Sequence, residues 1–140
     1  MTESRPEGQT VEVLTPAQCW DLLESEEVGR LAVTVGRIPD IFPVNFIVDD
    51  RSVVFRTAEG TKLAASVLGE AVAFEIDGYD VAAGQAWSVV AKGQAEEIET
   101  MDELFAAEDL PLFPWHTSPK RRYVRIHPEE LTGRRFEVDR

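Results

Sequence analysis

The segment Arg56-Thr57-Ala58-Glu59-Gly60-Thr61-Lys62 points most directly to chemistry. An alternating apolar run ends at Thr57, Gly60 loosens the chain, and Thr61 has the residue type and place of a helix N-cap. Backbone N–H groups at a helix N-terminus point outward with partial positive charge, which suits a phosphate. Thr57 and Thr61 add hydroxyl donors, and Arg56 and Lys62 add charge. Taken alone, the same residues also describe an ordinary cap at Thr61 beside a solvated lysine.

The run just before it is unusual. Ile41-Phe42-Pro43-Val44-Asn45-Phe46-Ile47-Val48 sets a proline and an amide among apolar residues. Pro43 cannot donate to a β-ladder, so it predicts an edge or bulge position. Asn45 is costly to bury without partners, so it either bonds neighbouring backbone or faces a ligand with a polar edge. Trp87-Ser88 is a second aromatic-plus-hydroxyl pair, although a tryptophan in a strand more often packs in a core.

Other chemistries lack their residues. Only His116 and His127 are histidines, no Gly-x-Ser-x-Gly occurs, and no histidine pair has metal-ligand spacing. The acid pairs Glu26-Glu27, Asp49-Asp50 and Glu96-Glu97 read as solvated faces and turns. Cys19, the one cysteine, falls on the apolar side of a helix and reads as packing. It cannot form an intrachain disulfide or a cysteine-based zinc site. No catalytic side chain and no metal site are expected.

The elements that position these residues are mostly strands. Thr15-Pro16 caps a helix over about 15–26 with Cys19, Trp20, Leu22 and Leu23 as its stripe. Val28–Val35 alternates, with Leu31, Val33 and Val35 on one face and Arg30, Ala32 and Thr34 on the other. A turn at 37–40 leads to Ile41–Val48, and Asp49–Ser52 turns into Val53–Thr57, an antiparallel meander. Thr61–Leu68 and Met101–Glu108 read as short helices. Ala71–Asp77, Ala86–Ile98 and Arg121–Ile126 are further strands, and Asp109–Pro119, with three prolines, is a loop. Six strands with small helices at the corners predict a mainly β, closed or partly closed antiparallel barrel. Residues 1–10 read as a flexible tail and 11–140 as a single domain.

Charge and composition bound the partners. The 140 residues carry a net charge of −12, which repels nucleic-acid backbones, while seven of the 14 basic residues fall in Lys120–Arg140. No run approaches the roughly 18–20 apolar residues that span a bilayer. The polar first ten residues lack a leader's apolar core, so the expected setting is the cytoplasm, with neither nucleic acid nor membrane as partner.

Pro39–Val48, Val53–Lys62 and Trp87-Ser88-Val89-Val90-Ala91-Lys92-Gly93, in that order and spacing, resemble the pyridoxamine 5′-phosphate oxidase-like FMN-binding split barrels. The likeness runs from about Thr15 to Phe136 and favours the short bacterial branch that includes nitroimidazole-reductase-type proteins. It implies a six-stranded antiparallel split β-barrel of Greek-key type that forms a homodimer with FMN in clefts at the interface. It also implies an FMN-dependent oxidoreductase acting on an unknown small molecule, with NAD(P)H as a possible reductant. Carried over by position, Phe42, Pro43, Val44, Asn45 and Phe46 face the flavin ring, and Arg56 and Thr57 end the strand beside the phosphate. Thr61 and Lys62 hold that phosphate, and Ser88 contacts the flavin. Trp87, Trp115 or Phe113 covers the ring or shapes the pocket, with Trp115 reaching across the dimer. The chain ends Thr132-Gly133-Arg134-Arg135-Phe136, which does not map onto the Arg- and His-rich substrate clamp of true pyridoxamine-phosphate oxidases. The resemblance leaves as alternatives the deazaflavin F420, a non-catalytic flavin-binding or sensor module, and haem held by His116 or His127.

Overall fold

Where the sequence alternates apolar and polar side chains, the chain runs as antiparallel strands. A computed structural model describes residues 2–4, 10–58, 69–98 and 121–138. Their elements, in chain order, are β1 (Thr2–Ser4), β2 (Thr10–Val13), α1 (Pro16–Glu24), β3 (Val28–Val35), β4 (Ile38–Val48), β5 (Val53–Ala58), β6 (Ala71–Asp80), β7 (Gln85–Glu97), β8 (Arg121–Ile126) and β9 (Glu130–Glu137). The helices expected at Thr61–Leu68 and Met101–Glu108 and the loop at Asp109–Pro119 lie outside the described residues.

Six strands close on themselves in the order β7-β6-β3-β4-β5-β8, because β7 pairs with β6 on one side and, at Ala95–Glu97, with β8 on the other. One set of cross-strand partners runs Ala91–Phe74–Leu31–Phe42 and another runs Phe46–Phe55–Val124–Glu97, so the ladder leaves β7 and returns to it. This is the expected closed antiparallel barrel. Its interior holds Leu31, Val44, Phe46, Phe55, Phe74, Ile76, Val89, Val124 and Ile126, all buried. The rings of Phe46 and Phe74 meet edge to face at 4.7 Å. A second cluster, Val54, Ile98 and Tyr123, packs on the outer wall.

Three unforeseen strands extend the sheet. β9 pairs with β7 from Gln85 to Lys92, and β2 and β1 follow it. Residues read from sequence as a tail thus include Thr2–Ser4, antiparallel to Thr10–Glu12. The link from β8 to β9 crosses β7 at Gly93, where any β-carbon would overlap the carbonyl oxygen of His127.

α1 begins as expected. Thr15 Oγ1 accepts from the Gln18 N–H (3.2 Å) and Gln18 Oε1 accepts from the Thr15 N–H (2.8 Å), a reciprocal cap of about 1 kcal/mol. Its Cys19 and Leu23 are fully buried.

Candidate functional site

β4 changes partner along its length, and the change creates the site. From Ile38 to Asn45 it pairs with β3, and with β5 it pairs only at Phe46, Ile47 and Val48. Beyond Phe46–Phe55 the two strands part, and Asn45 on one arm and Arg56 and Thr57 on the other flank the fork. The Phe46 N–H donates to the Glu27 carbonyl at 3.0 Å, so even-numbered residues of β4 point their N–H toward β3 and odd-numbered ones toward the edge that, up to Asn45, is open among the described strands. Pro39 and Pro43 are both odd-numbered and sacrifice no ladder bond there. The Ile41 N–H, also on that edge, donates to Asp40 Oδ1 at 3.0 Å. Prolines and a side-chain cap therefore guard the open edge up to Asn45. Pro43 was expected at an edge, and it occupies one. The turn expected at 37–40 is instead the two-residue Gly36-Arg37 loop, both residues at positive φ (55° and 73°), which lets β4 begin at Ile38.

Asn45 Oδ1, Thr57 Oγ1 and Trp87 Nε1 are buried without a hydrogen-bond partner, and among the described residues no other side-chain atoms are in that state. Each leaves an unmet polar demand of about 1–3 kcal/mol. All three belong to residues that the sequence nominates for cofactor contact. They do not open on one side. Asn45 alternates with the buried Val44 and Phe46 and faces outward, whereas Thr57 shares the core-facing parity of Val53 and Phe55, and Trp87 that of Val89 and Ala91. The indole of Trp87 covers Gly78, its cross-strand partner.

Ser88 sits on the outer face, between Asp77 on β6 and Arg134 on β9. It is three strands from β4 in the sheet order, roughly 14 Å across a flat sheet. Phe42 faces the core, opposite Leu31. The structure thus gathers Asn45, Arg56 and Thr57 at the fork and sets Trp87 and Ser88 further round the wall. Thr61, Lys62, Phe113, Trp115 and His116 lie outside the described residues.

Sequence reasoning missed the group that fills the space between these two halves. Arg30 on β3 donates through Nε (3.1 Å) and Nη2 (2.6 Å) to Glu75 Oε1 on β6, and the same Nη2 lies 2.6 Å from Asp77 Oδ1. Pairing with Glu75 raises the guanidinium's pKa. For Glu75 burial outweighs the pull of that guanidinium and pushes its carboxyl up. Alternation places Arg30, Glu75 and Asp77 at outward positions, but only the strand register brings them together.

The remaining candidates are structural or exposed. Cys19 is fully buried, its thiol pKa raised by burial, and a β-carbon at Gly133 would come within 2.6 Å of its Sγ. It packs against β9, as its place on the helix stripe predicted. His127 is exposed and borders a shallow cavity of about 320 Å³ with Asp49, Asp50, Glu96, Glu97 and Arg125. No cluster of metal-ligating side chains occurs among the described residues, and no helix among them is long and apolar enough to cross a membrane.

The family model described as pyridoxamine 5′-phosphate oxidase matches residues 15–135. The chain belongs to that family. A Mycobacterium tuberculosis relative, the uncharacterized protein Rv0080, is 35% identical over 123 residues, covering 84% of this chain and 80% of the relative. Among solved structures, the FAD binding protein from Mycobacterium smegmatis is 42% identical with a TM-score of 0.84, over 91% of this chain and all of that one. An FAD-binding protein from Mesorhizobium loti shares the fold at 23% identity and a TM-score of 0.77, over 93% of this chain and 99% of that one. With this family, the unmet polar groups at the fork fit a flavin, whose ring edge both donates and accepts hydrogen bonds and whose phosphate accepts them.

Proposed function

We propose that the chain binds FMN at the fork between β4 and β5 and acts as an FMN-dependent oxidoreductase on a small molecule. The observation that carries this is the fork itself, with Asn45 Oδ1 and Thr57 Oγ1 both buried and unpartnered around it, in a chain of this family. When bound, the flavin supplies the hydride or electron transfer. The chain then binds, orients and shields. Arg56 and Thr57 stand at the end of β5, where they meet the phosphate together with Thr61 and Lys62. The open edge of β4 from Phe42 to Phe46, with the Asn45 amide, orients the polar edge of the ring. Ser88 adds a hydroxyl, and Trp87 and Trp115 exclude water. No side chain is needed as acid or base in this reading.

A second copy of the chain completes the cleft in this reading, and the setting is cytoplasmic. FMN and FAD share the ring and first phosphate that the fork would hold, so the M. smegmatis neighbour's name bears on which is taken.

The test is the spectrum of the freshly purified full chain, followed by titration with FMN, FAD and F420 and addition of NAD(P)H. FMN binding that quenches its fluorescence and is lost in Thr57→Ala/Lys62→Ala supports the reading. FAD binding alone moves the assignment to the dinucleotide, and F420 alone to the deazaflavin. Flavin that binds but is never reduced makes the chain a carrier or sensor, and binding of none of the three overturns the proposal.

A further inference from the structure

The outer wall between the two halves of the candidate site is continuous. One row of cross-strand partners runs Pro43–Arg30–Glu75–Val90–Thr132. The next holds Asn45 opposite Val28 on one side and Asp77 opposite Ser88 on the other, and extending the β3–β6 register by two residues sets Val28 against Asp77. A ligand that touches Asn45 and Ser88 of the same copy therefore lies across β3 and β6, on Arg30, Glu75 and Asp77.

Arg30 is built to meet such a ligand. Two carboxylates fix its guanidinium through Nε and Nη2, which leaves Nη1 without a hydrogen bond among the described residues. The Arg30 and Glu75 side chains are about one-third exposed, on the face that carries Asn45 and Ser88. A guanidinium held in place spends little conformational entropy on one further bond. The two carboxylates leave the group with a net negative charge. It repels a phosphate and accepts a neutral carbonyl oxygen.

We propose that Arg30 contacts the cofactor, donating from Nη1 to a carbonyl oxygen of the flavin ring, with Glu75 and Asp77 as the positioning residues that aim it. This rests on the flavin reading above and names a ring contact on β3 in addition to the fork.

The test titrates FMN and riboflavin, which lacks the phosphate, against the full-length wild type, Arg30→Gln and Arg30→Lys, and records the flavin absorbance band and the thermal midpoint of each protein. Loss of one charge-assisted bond weakens binding roughly tenfold or more. The expected result is an equal loss for FMN and riboflavin in Arg30→Gln, with a shifted band. Arg30→Lys, which keeps the charge and thereby guards the fold, is expected to show the same loss, because the single nitrogen of an ammonium does not reproduce the planar spread of Nε, Nη2 and Nη1 that reaches both carboxylates and the ligand. Loss for FMN alone would mean a phosphate contact and overturn the assignment, as would unchanged affinity and spectrum in both variants. Wild-type protein that binds neither flavin would instead overturn the functional reading itself.

Discussion

The indole of Trp87 lies against the backbone of Gly78, its cross-strand partner, so closely that a β-carbon there would stand 2.8 Å from Nε1, Cε2 and Cζ2. Only glycine leaves the ring in place. Gly78→Ala is expected to displace the indole and destabilise the fold by about 1–3 kcal/mol, read by urea unfolding and near-UV circular dichroism. Trp87→Phe in the same chain removes the atoms that collide, so the double variant should recover part of the loss. Equal and additive losses would show that ring and glycine do not meet.

Thr57 makes a prediction of opposite signs. Its hydroxyl is buried, with 5% of the residue exposed, and has no partner. Thr57→Val keeps the shape and removes the unmet polar group, so the flavin-free protein should gain about 1 kcal/mol of stability. The same change should weaken FMN binding. A stabiliser that lowers affinity marks a group kept for its ligand, whereas loss of stability would reveal a partner for the hydroxyl in the free protein.

The barrel strands could be read from sequence because each alternates cleanly. Val72, Phe74 and Ile76 face in and are buried, as do Val124 and Ile126. β9 could not, since Thr132-Gly133-Arg134-Arg135 has no apolar period of its own; pairing along β7 and the contact of Gly133 with Cys19 hold it. Val35 fits the pattern of its strand yet is 44% exposed, because the hairpin tip carries it past the core. Of the candidate site, Asn45, Thr57 and Trp87 were legible as polar groups set among apolar neighbours. The Arg30 network was not, because an arginine and two acids on outer faces look like any solvated surface until the register brings them together.

The hairpin between β4 and β5 stores a cost that can be relieved. Asp50 and Arg51 both adopt left-handed backbone (φ 49° and 55°), the two-residue turn that favours Asn-Gly. Arg51→Gly should raise the thermal midpoint, since the left-handed conformation costs a side-chain-bearing residue roughly 1 kcal/mol. Ser52→Ala should lower it by about 1–3 kcal/mol. The buried Ser52 hydroxyl donates to the Asp49 carbonyl and accepts from Arg125 Nη1, while Arg125 Nη2 pairs with Asp49 Oδ2 at 3.1 Å. Scanning calorimetry of the two variants separates turn strain from turn anchoring, and a fall in both would mean that Arg51 itself is anchored.

Glu75 sets a pH dependence whose direction follows from its environment. Burial pushes its carboxyl above the ordinary glutamate value and the neighbouring Asp77 adds to the push, while Arg30 pulls the other way and stays charged throughout. Between the ordinary value and the raised one, the folded chain holds this proton more often than the unfolded chain does. Stability must then fall as pH rises through that window, and this group's contribution is greatest below it. Glu75→Gln cannot ionise, so its stability relative to wild type should climb across the same interval and level off above it. Urea unfolding of both proteins in steps from about pH 4 to 7 reads the difference, with the side chain's partial exposure keeping it modest. A constant difference across the range would show that the attraction of Arg30, rather than burial, governs the carboxyl.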